Sequence, residues 1–575
     1  MTETPIFEVL GSASVVTAQD IAIHQPLDFS DILESQVGLD VTRNGGRMSS
    51  TSLFTRGTNN GHTLILINGQ RFSSATLGST QFQIVDPELI ERVEIVRGSR
   101  SAIYGSDAIG GVMQIFTKKP SEDPEGFLTM EGGSHSTSRF SAGISNSFDK
   151  ASFSIALSHE QSDGIDSQID DSDKNGDDDA YKASNGNLFW SYDVSEALSI
   201  KASHLNSYTE SDYDLSGFFA RVDTLPYSIN KVRVNSFDVN YKPSDAYQSR
   251  FSVGHSVDHS DLRDRTYRDD LATIIETSRD SVYWQNDIRI NESLLTTLAF
   301  DFLDEKVSGT TNFAEDARDT KAFIAQLQWK QSEFDIVVGG RHDEMSAHGG
   351  ETTGNIAAGY SIGDNYRIYT SWAEGFKQAS INDLYWPFGG NPELEPEESD
   401  AREFGVKAKF DNIYFDVSVY KTDIKNLIEW TPNEDFTVWS PQNVNEVEIE
   451  GVEFSTQYKR ETWSVDGSVS YSKAVDADTD LDLINRARRK LTLGASKEFE
   501  KFTVGATFKA QGERTQSSGQ NIGGYGVVGA YASFQPEEHL TIKLKINNLT
   551  DKSYLLNERY NEDGINGSVK AVFKF

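Results

Sequence analysis

"NIYFDVSVYK", Asn412–Lys421, decides the fold: Ile413, Phe415, Val417 and Val419 fall on one face of an extended chain, Asp416 and Ser418 on the other. A period of two marks a β-strand with unlike faces, because successive side chains point to opposite sides. "ASFSIALS" (Ala151–Ser158) sets Phe153, Ile155 and Leu157 against serine, and "KFTVGATFK" (Lys501–Lys509) and "TIKLKINNL" (Thr541–Leu549) repeat the pattern. It starts after "KKPSEDPEG" (Lys118–Gly126) and runs to "SVKAVFKF" (Ser568–Phe575), whose Val569, Ala571, Phe573 and Phe575 share a face.

Alternation alone fits a soluble sandwich or propeller as well as a membrane barrel. Three features favour the barrel. The alternating region, residues 123–575, has no domain break, and about 20 residues per strand and turn gives on the order of 22 strands. Short turns alternate with long acidic loops, as two ends facing different compartments require. The chain also stops on an outward aromatic, which suits a last strand closing a barrel in lipid. The expected fold is an all-β, 22-stranded antiparallel transmembrane β-barrel, occluded by an N-terminal α+β domain.

That first domain, residues 1–122, has a mixed grammar. "QPLDFSDILESQVG" (Gln25–Gly38) spaces Leu27, Phe29, Ile32 and Leu33 as an amphipathic helix ending near Gly38. "HTLILINGQRF" (His62–Phe72) reads as strand, tight Asn68-Gly69 turn and strand, and "ERVEIVRG" (Glu91–Gly98) as a strand ending in a turn.

Composition excludes several functions. A net charge of −35 argues against a nucleic-acid partner. The absence of cysteine removes disulfides and thiolate metal sites. No apolar run of about 18 residues is present, which argues against a helical membrane protein. No Ser-His-Asp or metal-histidine motif stands out, and neither His62 nor His342 has an inferable partner, so no enzymatic activity is expected.

The run "DDSDKNGDDD" (Asp170–Asp179) invites comparison with an EF-hand loop. Counted from Asp171 it gives Asp173, Asn175, Gly176, Asp177 and Asp179 at suitable steps, but position twelve is Lys182 where a bidentate Glu is needed. On its residues alone, the run reads as a solvated acidic loop.

"RGTNNGHTLILINGQR" (Arg56–Arg71) and "IERVEIVRGSRSAIYGSDAIGGVMQIFTKK" (Ile90–Lys119) resemble the plug of TonB-dependent outer-membrane transporters. "GFKQASINDLYWPFGGNPELEPEES" (Gly375–Ser399) and "NNLTDKSY" (Asn547–Tyr554) are similar to stretches of the same family's barrel, so the resemblance spans nearly the whole chain. It implies the plug as residues 1–122 and the barrel as 123–575, in the outer membrane of a Gram-negative bacterium. Within a plug, Arg56, Arg97 and Glu94 are the expected buried partners of the barrel wall. A plug of this size also disfavours a passive porin.

Within the family the pattern is most similar to the cobalamin (vitamin B12) transporters, through "NGGRMSSTSLFTRGTNNGHTLILINGQRF" (Asn44–Phe72), "YWPFGGNPELEPEES" (Tyr385–Ser399) and "LINRARRKL" (Leu483–Leu491). The alternative is a receptor for a siderophore or another scarce nutrient. Haem is disfavoured, since Phe376 to Leu394 contains no histidine.

The resemblance implies ligand contacts at Ser50, Ser52 and Asn59 on the first plug apex, Leu77 and Gly78 on the second, and Arg486 on the barrel. It implies calcium held by Asp166, Asn175, Asp177 and Asp179 of one extracellular loop and Tyr213, Asp214 and Asp223 of the next, with Asp212 competing. The implied partners are TonB, outer-membrane lipid, a cobalamin or corrinoid ligand and, as an accessory, a surface lipoprotein. No TonB box precedes "TPIFEVLGSASVVTAQDI" (Thr4–Ile21), so this chain is expected to bind ligand without being energised; uptake by a strain relying on it alone would refute that.

Overall fold

The computed structural model describes residues 4–169, 178–214, 225–266, 272–433, 435 and 437–575. Among them, 22 antiparallel strands form a closed barrel, from Glu125–Gly133 round to Asn566–Lys574, which pairs back onto the first strand with Ser568 opposite Gly133 and Lys574 opposite Phe127. Closure leaves no unpaired edge, the condition for a sheet to cross hydrocarbon.

The alternation of Asn412–Lys421 takes the expected form. Val417 and Val419 are 40% and 48% exposed on the outside, whereas Asp416, Ser418 and Tyr420 are buried against the lumen. The terminal strand likewise turns Val569, Phe573 and Phe575 outward. Apolar side chains thus face out and polar ones in, the pattern of a barrel whose solvent on the outside is lipid.

Strands vary from 8 residues (Leu540–Asn547) to 22 (Trp439–Arg460). About 9–11 suffice to span a bilayer, so the longer ones project beyond it. Turns at 149–150, 196–197, 245–246, 292–293 and 332–333 close one end, which also holds both ends of the barrel chain; the long connections 163–180, 213–225, 378–396 and 548–565 join strands at the other.

Inside the barrel, Ala13–Thr17, Ile90–Arg97, Gly111–Thr117, Thr63–Ile67 and Gln70–Arg71 form a five-stranded sheet in that order, with Thr63–Ile67 parallel to Gly111–Thr117. A separate hairpin joins Leu39–Arg43 to Thr51–Thr55. The Asn68-Gly69 turn is as expected, both residues taking positive φ. The helix is shorter than the spacing predicts, covering Phe29–Glu34 only. Asp28 caps it by accepting from the Asp31 N–H, and Leu27 N–H donates to the Asp31 side chain, so Leu27 lies outside the first turn. Phe29, Ile32 and Leu33 join Ile65, Val93 and Met113 in the plug's core, which also touches the wall at Leu205, Val232 and Val234.

Leu157, 60% exposed on the outer face, separates a lipid-facing barrel from a soluble one. Leu157→Arg should lower barrel stability by roughly 2–4 kcal/mol in vesicle refolding titrations. A change within about 0.5 kcal/mol, as for an ordinary exposed position, would contradict lipid exposure.

Candidate functional site

The plug meets the wall through two arginines. Arg56 follows the strand Thr51–Thr55 with φ at 54°, a conformation unfavourable for a residue with a Cβ; its N–H donates to the Gly38 carbonyl. Its guanidinium donates from Nε and Nη2 to the two oxygens of Glu453 at 2.9 Å each, and from Nη1 to Glu403 at 3.2 Å. Arg97 adds a bond to Glu453 at 3.1 Å. Ser12 and Tyr369 hydroxyls donate to Glu403 at 2.5 and 3.0 Å, and the Tyr420 ring lies 4.1 Å from the Arg56 guanidinium. Gly38 makes room: a Cβ there would stand 2.1 Å from Glu453 Oε1. Glu94, expected in this set, instead pairs with Arg92 on its own strand at 2.6 Å, because its position on Ile90–Arg97 is half-exposed.

Above this cluster, Arg486 reaches from the connection between Trp463–Asp476 and Arg489–Glu498 onto the first plug turns. Its Nε donates to the Gly57 carbonyl at 2.9 Å, its Nη2 donates to the Asn59 side-chain oxygen, and its guanidinium covers the Phe54 ring at 4.5 Å. Burial pushes its pKa down to about 10, so it remains a cation at neutral pH. Asn59 and Arg486 are therefore in direct contact. Gly78 packs closely on Gly61, where a Cβ would lie 2.4 Å from the Gly78 carbonyl oxygen. Leu77 beside it is 64% exposed. Ser50 is held elsewhere, its carbonyl accepting from Asn44 in a turn of its own, and Ser52 sits within the adjoining strand.

Four sets of contacts were not named from the sequence. His62 Nδ1 accepts from the Asn59 N–H at 3.2 Å, which leaves the proton on Nε2, and Nε2 donates to Glu397 at 2.5 Å. The fold supplies this partner from 335 residues away, where no local spacing could reveal it. His342 is an outward residue, its Nδ1 2.8 Å from the Thr352 hydroxyl. The second apex is clamped by the barrel helix Ile381–Tyr385, with Ile381 N–H donating to the Ala75 carbonyl at 2.9 Å. Its capping box, Ser380 with Asp383, was a legible signal in the sequence. Finally, Glu305 takes Arg279 and Arg318 at 2.6 Å each; Arg279 also donates to the Ser73 carbonyl and Arg318 to that of Ala379, tying apex to clamp.

Of the expected calcium ligands, Asn175, Asp177 and Asp223 lie outside the described residues, as do Asp170, Asp171 and Asp173. Asp166 and Asp179 come together: Ser167 N–H donates to Asp179 Oδ2 at 3.3 Å, and Asp179 N–H donates to the Ile165 carbonyl at 3.0 Å. Tyr213 N–H donates to the Pro226 carbonyl at 3.2 Å, just before Asp214. Asp212, the competing choice, has Arg265 at 2.5 Å. No group of three or more His, Asp or Glu able to hold a metal occurs among the described residues. Those that are described offer hard oxygen donors, the kind calcium takes.

Residues 126–549 match the family model "TonB dependent receptor-like, beta-barrel" and residues 5–112 the "TonB-dependent Receptor Plug Domain". The chain is 30% identical over its whole length to the vitamin B12 transporter BtuB of Photobacterium profundum, covering 94% of it, and 30% identical across 95% of its length to that of Vibrio vulnificus, covering 89%. Among solved structures, a variant of the ferric enterobactin receptor PfeA of Pseudomonas aeruginosa superposes with a TM-score of 0.85, and the siderophore receptor PirA of Acinetobacter baumannii with 0.83. Each is 16% identical, and coverage is 99% of both chains in each case. At that identity the likeness speaks for the fold alone.

Removing Glu453 leaves two buried guanidiniums short of their acceptor. Glu453→Ala should destabilise the plug by about 3–5 kcal/mol, read as accelerated amide exchange in Ile90–Arg97, whereas Glu94→Gln should change it by less than about 0.5 kcal/mol. Equal effects would contradict the assignment of Glu453, rather than Glu94, to the plug–wall contact.

Proposed function

This chain belongs to the TonB-dependent receptors of the Gram-negative outer membrane, and from that premise we propose that it takes up cobalamin or a related corrinoid, driven through TonB by the proton-motive force. The observation that carries this reading is the identity to vitamin B12 transporters, which runs the length of both chains. The siderophore receptors are similar in fold at 16% identity and give no comparable support for their ligands.

The chain's own residues account for each stage. At the end opposite the periplasmic turns, where the long connections join the strands, lies the proposed mouth. At its floor, Leu77 and Gly78 present small and apolar surface and Asn59 a polar amide, with the Arg486 cation held by Gly57 and Asn59. Ser50 and Ser52 add hydroxyls on the first apex. A ligand resting there is separated from the periplasm by the plug, so passage requires the plug to rearrange. TonB pulls on the N-terminal segment, and the force reaches the plug through Ala13–Thr17 and the strand paired with it, Ile90–Arg97, which ends beside Arg56.

Calcium belongs to the same proposal. Asp166, Asp179, Tyr213 and Asp214, with Asn175, Asp177 and Asp223, would hold the ion. Its double charge offsets the mutual repulsion of these carboxylates and holds two loops together at the mouth. A surface lipoprotein that assists capture would dock on these same loops.

Titration of the purified protein with cyanocobalamin, in calcium and in a chelator, tests both parts. The expected result is saturable binding that tightens with calcium and weakens about tenfold in Arg486→Ala, equivalent to about 1.4 kcal/mol. No binding in either condition would overturn the ligand; binding indifferent to calcium would overturn the metal.

A further inference from the structure

The plug's N-terminal segment is gripped before it reaches the sheet. Its short 3-10 turn, Ile6–Glu8, lies against the inner wall near the periplasmic end. Lys407, on the barrel strand Glu397–Phe410, is fully buried and donates from Nζ to the carbonyls of Ile6 at 2.9 Å and Val9 at 2.7 Å. Arg367 donates to the Glu8 carbonyl at 3.3 Å, and Lys330 pairs with the Glu8 carboxylate at 2.8 Å.

The residue opposite Lys407 is Asp416, its direct cross-strand partner on Ile413–Pro432. Both side chains point into the lumen and both are buried. A lysine and an aspartate so placed would ordinarily pair. Here Lys407 spends its donors on the plug's backbone rather than on Asp416, whose neighbouring hydrogen-bonding group is the Tyr414 hydroxyl. A buried carboxylate left without its cation is costly, and it persists where something else constrains its natural partner.

We propose that Lys407 and Asp416 form a two-position latch on the N-terminal segment: closed on the carbonyls of Ile6 and Val9, open on Asp416. The inference rests on the reading that this segment is drawn out through the periplasmic end. Withdrawal removes the acceptors of a buried ammonium, a state that would be prohibitive if it stayed unpaired. Asp416 supplies the replacement acceptor on the adjacent strand, so the wall is satisfied once the segment has left. Lys407 is a positioning residue: it touches no ligand and sets where the segment rests. Arg97, Glu403, Glu453 and Arg367 make up the charged surroundings of the pair, and Tyr414 is the neighbouring hydroxyl.

The chain has no cysteine, so a single Pro5→Cys change accepts a spin label at an exposed position of the segment. With the native wall the label should be immobilised. Lys407→Met, which keeps the side-chain bulk and removes the donors, should abolish the immobilised component. In force spectroscopy pulled from the N-terminus, Lys407→Met should lose the first rupture event. Asp416→Asn should keep the label immobilised but raise the first rupture force, because the open position loses its countercharge while the closed one remains. An unchanged spectrum in Lys407→Met would overturn the latch; so would a first rupture force in Asp416→Asn equal to or below the parent's. Should Lys407→Met fail to fold, the Asp416→Asn arm decides alone. Neither readout uses cobalamin or TonB, so a failure here is distinct from a failure of the ligand assignment.

Discussion

A barrel whose outside is lipid must keep its polar residues inside, and a lumen lined with carboxylates needs cations supplied from within. The contact of Arg56 and Arg97 with Glu403 and Glu453 answers that need. Each glutamate accepts several donors and each arginine is directed by the plug's backbone. Such a set adds little to stability relative to an apolar contact of the same size, but loss of any one member leaves buried charge uncompensated. It therefore fixes the register of the plug in the wall more than it strengthens it. A plug that must later move is better held by directional charge than by a dry interface.

The rest of the molecule follows from that register. With Arg56 placed, Gly57 and Asn59 fall beneath Arg486, and His62 meets Glu397 at the base of the connection that clamps the second apex. The plug is thus bonded to the barrel at both apices, through Arg486 on one side and through Ile381, Arg279 and Arg318 on the other. A ligand that disturbs either apex acts on groups already bonded to the wall. The opposite end is organised alike: lysines and arginines of the wall hold the carbonyls of the N-terminal segment.

Much of this was legible in the sequence. Alternation in stretches such as Asn412–Lys421 gave the strands and their faces, and the terminal aromatic strand gave closure. The turn at Asn68-Gly69 was readable because its chemistry is local. What escaped was non-local. His62 acquires its partner from Glu397, the helix Phe29–Glu34 is trimmed by the Asp28 cap and the Leu27 bond to Asp31, and Glu94 turns to Arg92 rather than to the wall. Arg486 and Asn59 were named by resemblance, and only the fold shows them in contact. Lys407 and Asp416 attract no notice in sequence, since their significance lies in not pairing where the ladder sets them side by side.

Plug and barrel form one unit through buried charge. Native-state amide exchange of the intact protein in lipid tests it most directly, read on Gly111–Thr117 in the middle of the plug sheet. These amides should exchange only as the barrel itself unfolds. Exchange orders of magnitude faster than the barrel strands, in the absence of any applied force, would contradict it.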